Sequence, residues 1–330
     1  MPSTYMYPQS REVHELGPDL VADLTQNDIT FQIFPLRNTN APLVEWSVDS
    51  DDYGLQQLRG LDGSPLHVVE QGDNRYLMEP GAYGEFETVS ETELTLRTGS
   101  IVGDASIDLS DLILKKNRRL LARELTRIRF IIWTLLTTGT FSVSSKNGGV
   151  VHTDTFTLQT QSGSDWSIAA TATPLADFRL VQQLGSSKGV TFGASGLAIM
   201  NRVTANYMFN NTNAADLGGR RTLGGGTVNS PGEINKIMMG EDLPTVIVFD
   251  MGYKNDAGSF TKYIANDKVV VVGRRNEGDL IGEYVMTRNL NNPGGAPGSY
   301  SYIKDYAQGI NAPKETPPRI EIHRGHNGAP

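Results

Sequence analysis

The chain has 330 residues, enough for two structural units or one large elaborated one, and long enough to bury most of its apolar surface. Hydrophobic residues make up 38% and charged residues 20%, and 29 Lys+Arg against 37 Asp+Glu leave a net charge of −8; the bulk is globular, and the acidic balance argues against tight sequence-specific nucleic-acid binding, which needs basic surface against phosphates. The absence of cysteine excludes disulfide scaffolds, Cys-type zinc fingers, iron-sulfur clusters and cysteine nucleophiles.

Residues 1 to about 42 lack sustained periodicity and carry Pro2, Pro8, Pro18, Pro35 and Pro42, which predicts an extended arm that packs on something else. The first residues lack a basic stretch followed by an apolar one, so a protein made and used in a cytoplasm is expected. From Val44 to Asp49 apolar and polar residues alternate, and His67 to Glu70 and Arg75 to Met78 give further strand signals. Together they predict a long hairpin turning at Gly60-Leu61-Asp62-Gly63, where Asp-Gly accepts positive φ. Leu121, Leu125, Ile128, Ile132 and Leu135 then recur at three- and four-residue spacing, which predicts a helix over 109–138, capped by Asp108 or Ser110 and stopped by Gly139. Its apolar run Phe130 to Leu136 is far short of the ~20 residues of a membrane span, so no membrane partner is expected.

Phe141 to Val143 and Thr155 to Leu158 read as strands around the Asn147-Gly148-Gly149 turn. Thr173-Pro174 opens a second helix running to Gly185, and a third is expected from Ser195 to Tyr207. After a glycine-rich stretch at 218–232, the segments Thr245 to Met251, Lys268 to Val272 and Gly282 to Thr287 read as strands, as does Arg319 to His323. Helix and sheet are mixed throughout, an α+β class, with no fixed-period repeat.

Charge is segregated. From Glu45 to Glu93 the net charge is −10, including Asp49, Asp51, Asp52, Glu70, Asp73, Glu85 and Glu87. From Lys115 to Arg129 it is +6, with Lys115, Arg118, Arg119, Arg123 and Arg127 among seven bases and Glu124 the one acid. Either each segment is a solvated face, or the acidic hairpin of one subunit lies over the basic helix of its neighbour, where complementary charge sets register and encounter rate.

Other chemistry-bearing patterns are weak. Asp49-Ser50-Asp51-Asp52-Tyr53-Gly54 begins like a calcium loop, but Tyr53 takes a ligand position and Gly60 stands where the bidentate Glu belongs. His152-Thr153-Asp154 reads better as strand than as metal site. Gly185-Ser186-Ser187-Lys188-Gly189 lacks the spacing of a phosphate loop. His14, His67, His152, His323 and His326 fall in no catalytic motif, while a carboxylate pair of the glycosidase kind stays open because its separation is three-dimensional. Arg220 and Arg221, beside flexible glycines, read as a mobile loop. No catalytic residue, cofactor or metal is expected.

The order of elements carries a resemblance. Leu135-Leu136-Thr137-Thr138-Gly139-Thr140-Phe141-Ser142-Val143, Trp166 with Ala172-Thr173-Pro174-Leu175-Ala176-Asp177, and Leu243-Pro244-Thr245-Val246-Ile247-Val248-Phe249-Asp250 with Tyr253 and Gly258 follow in order. Ile264-Ala265-Asn266-Asp267-Lys268-Val269-Val270-Val271 and Pro317-Pro318-Arg319-Ile320-Glu321-Ile322 come after them. Over roughly 90–325 this resembles the lambda-type (family E) major capsid proteins of tailed phages, with the Hong Kong 97-type fold. One departure is Thr173 before Pro174 in place of an acid, and Thr also caps a helix.

The resemblance implies an N-terminal arm at 1–42, an E-loop at 43–95 and a peripheral domain at 96–169 with its spine helix at 109–138. An axial domain at 170–315, with Arg220 and Arg221 in an axial loop, and a strand at 316–330 returning to the peripheral domain complete the chain. It further implies a non-enzymatic virion protein, assembled in a host cytoplasm as hexamers and pentamers into an icosahedral shell around double-stranded DNA held without sequence specificity. Portal, scaffolding and decoration or cement proteins are the implied partners. An encapsulin-like compartment shell is the alternative within the fold, and a carbohydrate-active β-rich hydrolase the alternative outside it.

Overall fold

The computed structural model describes residues 5–6, 8, 10–15, 17–48, 74–98, 107–144, 149–186, 190–212, 231–255, 257–275, 282–292, 295–306 and 319–330. The expected turn at Gly60-Leu61-Asp62-Gly63, the strand at His67 to Glu70, the calcium-like loop and most of the glycine-rich stretch lie outside them.

The first 42 residues are more ordered than an extended arm. After β1 (Tyr5–Met6) come α1 (Ser10–Glu15), α2 (Gly17–Thr25) and α3 (Ile29–Ile33). The prolines do not prevent this, because Pro18 falls in the first turn of α2, where its missing N–H loses no intrahelical bond. Asp28 caps α3, its Oδ1 accepting from the Thr30 N–H at 2.9 Å. Phe31, Ile33 and Phe34 then enter the main core, so tertiary burial fixes helices too short to show a period.

β2 (Leu36–Asn38) leads to β3 (Val44–Val48), which pairs antiparallel with β4 (Asn74–Met78) as the root of the expected hairpin. Trp46 and Tyr76 stack across it at 5.4 Å. β5 (Gly81–Val89) runs on into α4 (Glu91–Thr98), which opens with a reciprocal cap: the Ser90 N–H donates to Glu93 and the Glu93 N–H to Ser90.

β6 (Ile107–Asp108) precedes α5 (Ser110–Thr138), 29 residues and about 44 Å long. Asp108 covers its start by accepting from the Ser110 N–H, and Gly139 ends it in the left-handed region at φ 70°. A Cβ at Gly139 would also stand 2.5 Å from the Phe156 carbonyl oxygen, so the stop is doubly specific to glycine. Leu121, Leu125, Ile128 and Ile132 are buried as the periodicity predicts. Beside them Trp133 is fully buried, donating to Thr30 Oγ1 at 3.1 Å and lying 4.7 Å from the Phe249 ring.

β7 (Thr140–Ser144) and β8 (Val150–Thr155) form the hairpin after the helix. The second strand therefore lies before the expected Thr155 to Leu158: the Phe156 N–H on the Gly139 carbonyl is the last rung, because β7 begins directly from the helix end at Gly139. Then come α6 (Pro174–Ser186), β9 (Val190–Thr191), β10 (Leu197–Met200) and α7 (Arg202–Phe209). The helix expected from Ser195 is thus split: Leu197-Ala198-Ile199-Met200 is a short apolar run sandwiched between two cores, which periodicity alone cannot tell from helix. Asn201 then caps α7 through Thr204.

The remainder is α8 (Pro231–Gly240), β11 (Thr245–Val248), β12 (Gly252–Lys254), β13 (Phe260–Lys262), β14 (Val269–Val272), β15 (Arg274–Arg275), β16 (Tyr284–Met286), β17 (Tyr300–Asp305) and β18 (Ile320–Ala329). Strands β11-β10-β14 form one sheet, with α6, α7 and α8 supplying its second core. A five-stranded sheet has β18 at its centre: β5 pairs along one edge over 320–328, while β17 and β16 share the other. β18 is twice the expected length. Its glycines admit neighbours: a Cβ at Gly325 would stand 2.1 Å from the Tyr83 carbonyl oxygen, and one at Gly328 2.8 Å from the Tyr284 ring. This sheet lies on α5, and among the described residues no helix is long and apolar enough to cross a membrane.

Candidate assembly surfaces

Two periodicities meet where β5 crosses α5. Tyr83, Glu85 and Glu87 alternate along β5 and share one face, while Lys116, Arg119, Arg123 and Arg127 recur along one stripe of the helix. The result is a ladder: Lys116 Nζ binds Glu93 at 3.0 Å and the Thr88 carbonyl at 2.8 Å, Arg119 pairs with Glu87, Arg123 Nη2 meets Glu85 Oε1 at 2.7 Å, and the Arg127 guanidinium lies 5.6 Å from the Tyr83 ring centre. The hydrogen bond from Arg123 is the largest influence on the Glu85 carboxyl and holds it below the usual range.

Part of the charge complementarity expected between subunits is therefore spent inside one chain. Glu85, Glu87, Arg119 and Arg123 hold β5, the strand that follows the hairpin, to the helix of the same chain. Lys115 and Arg118 point off this stripe, exposed, with no ion-pair partner among the described residues. Asp49, Asp51, Asp52, Glu70, Asp73, Arg220 and Arg221 lie outside the described residues. Because the ladder arginines are largely exposed, replacing Arg123 with alanine is expected to cost no more than about 1 kcal/mol in a denaturant titration.

Under the ladder is a polar cluster that charge counting missed. Asn117 and Glu124 share the buried stripe of α5 with Leu121 and Ile128, and meet the inward side chains of β18. Glu124 Oε2 accepts from Arg324 Nε at 2.6 Å, and Oε1 accepts from the Ser299 hydroxyl at 2.5 Å. His326 Nδ1 stands 3.1 Å from Glu124 Oε1. His326 Nε2 meets the Tyr284 hydroxyl at 3.0 Å. The side chains of Glu124 and Arg324 are 5% and 2% exposed. Burial works to raise the Glu124 carboxyl, but His326, the Arg324 charge and the Ser299 hydroxyl outweigh it and hold it at about 2. The signal available in the sequence was the position of Glu124, four residues before Ile128 and three after Leu121 on the apolar stripe.

No family model matches the sequence, and no curated protein sequence matches it. Among solved structures, a chain assigned as a prophage capsid protein of E. coli CFT073 aligns with a TM-score of 0.53 at 13% identity, over 98% of this chain and 96% of that one. The capsid of a native GTA particle (0.47, 14% identity, 90% and 84% covered) and a phage-related protein from Bordetella bronchiseptica RB50 (0.47, 9%, 96% and 92%) also align. This chain shares the fold of that prophage protein nearly end to end. Specifically, this α+β chain has the Hong Kong 97-type capsid fold.

Proposed function

We propose that this chain is the major capsid protein of a tailed phage or prophage, assembling as hexamers and pentamers into an icosahedral head around double-stranded DNA. It is a structural protein without catalytic activity, located in the virion and assembled in a host cytoplasm, with portal, scaffolding and decoration proteins as partners. The observation that carries the reading is the correspondence of fold over 98% of the chain. Two features fit it. Leu96 and Leu290 are 74% and 87% exposed, and Leu77, Phe86, Val150, Val151 and Phe260 are exposed as well, apolar surface that neighbours in a shell would cover. Lys115 and Arg118, without an ion-pair partner among the described residues, stand exposed on α5 to receive the acidic tip of a neighbour's hairpin, and symmetric repetition multiplies such weak contacts into a stable shell.

Negative-stain electron microscopy of the expressed protein tests this: closed shells or capsomers tens of nanometres across are expected, and a persistent monomer overturns it. Lys115→Glu with Arg118→Glu is expected to lower the yield of particles about tenfold or more while leaving the thermal midpoint of the monomer unchanged, because exposed charges steer association more than they stabilise the fold. Equal yields would remove α5 from the interface.

A further inference from the structure

Two sheet edges in this chain are covered by side chains that imitate a neighbouring strand. At β17, the Ser10 hydroxyl donates to the Ile303 carbonyl and accepts from its N–H at 2.9 Å. At β11, the Asn235 amide does the same for Val246, accepting from its N–H at 2.8 Å and donating to its carbonyl at 3.1 Å. The opposite edge of that sheet differs. The carbonyls of Gly196 and Met200 go to Thr245 and Phe249, on the β11 side, so strand alternation turns Leu197 and Ile199 toward β14, where they face Val272 and Val270. The N–H and C=O groups of Val269 and Val271 are left on the far edge, and no described strand pairs with it.

That edge lines a cleft of about 920 Å³. Its remaining walls are the end of α5, α6 and the segment 158–166, with Leu136, Leu158, Phe178 and Phe192 supplying apolar surface. The 158–166 wall is pinned by Asp177, whose Oδ2 accepts from the Ser164 N–H, the Ser164 hydroxyl and Trp166 Nε1. The cleft also presents Tyr207, Asp267 and Lys268, whose side chains have no partner among the described residues. Among the described residues, the lining carries three carboxylates, Asp165, Asp177 and Asp267, and one cation, Lys268.

We propose that the cleft receives an extended basic peptide segment of a different protein, which adds to β14 as a strand. Val269 and Val271 offer two donors and two acceptors in the alternation that β-addition uses, and the apolar walls accept side chains at every second position. The acids select lysine or arginine between them. This chain's own long hairpin, net −10 over 45–93, is repelled by the same acids, so the occupant is another protein.

A fluorescein-labelled peptide of seven residues alternating valine and lysine serves as probe, titrated onto the wild-type protein by anisotropy. Saturable binding is expected, weakened about tenfold or more by N-methylating alternate peptide amides or by exchanging lysine for glutamate. Val271→Pro removes an edge N–H that β10 does not use, which an edge strand tolerates, and is expected to lose binding to the same extent with an unchanged thermal midpoint. Independently of any variant, the amides of Val269 and Val271 are expected to gain protection from hydrogen exchange when the probe binds. No binding, no gain in protection, or equal binding by the N-methylated peptide overturns strand addition; equal binding by the glutamate peptide overturns the basic occupant. Binding by unassembled protein but not by assembled particles gives the cleft to a neighbouring copy and overturns the choice of a different protein.

Discussion

Arg324→Ala is expected to lower stability by about 3–5 kcal/mol, the cost typical of removing one partner from a buried ion pair. The loss comes less from the missing contact than from what stays behind, a carboxylate 5% exposed between α5 and β18 without its counter-charge. Chemical denaturation of both proteins measures it, and a loss below 1 kcal/mol would mean that water reaches Glu124. The double variant Glu124→Leu with Arg324→Met is expected to recover most of the stability, since it leaves no orphan charge.

Acid adds a second readout. The Glu124 carboxyl titrates at about 2 in the folded chain against an ordinary 4.5, so the unfolded chain takes up its proton first. The cluster's contribution is therefore full above pH 4.5 and is lost as the pH falls toward 2. In Arg324→Ala one of the forces depressing this carboxyl is gone, and the acid limb of the stability curve is expected to move to higher pH.

Removing residues 319–330 is expected to abolish cooperative unfolding altogether. β18 is hydrogen-bonded along both edges, so its loss strips β5 and β17 of their partner at once, and Ile320 and Ile322, both fully buried, leave the apolar face of α5 open. That damage exceeds the 5–15 kcal/mol that hold a typical domain together. Calorimetry of the shortened chain decides it: a sharp endotherm near the wild-type temperature would mean that the sheet closes without its central strand.

The long helix was legible because its period repeats over 29 residues, and both ends carry local chemistry, Asp108 at the start and Gly139 at the stop. α6 was legible for the same reason, with Pro174 in its first position. Helices α1 to α3 were not, since five to nine residues show no period and their stability comes from Phe31, Ile33 and Phe34 reaching a core built elsewhere. The charge segregation was visible in one dimension, but whether opposite segments meet within a chain or between chains is decided by strand alternation against helical stripe. That geometry places Glu85 and Glu87 on Arg123 and Arg119 of the same molecule and leaves Lys115 and Arg118 aside. At Gly325 and Gly328 a neighbouring strand and an aromatic ring come close, contacts that the sequence pattern does not signal.

The pairing of β5 with β18 also sets a timetable for synthesis. Val89 meets Ile320, and at roughly 5–20 residues per second a ribosome needs about 10–50 s to travel between them. For most of that interval α5 has been made while the strand that covers Glu124 and the apolar stripe around it has not. The sheet that covers Glu124 and the apolar stripe of α5 therefore closes only once β18 has been translated.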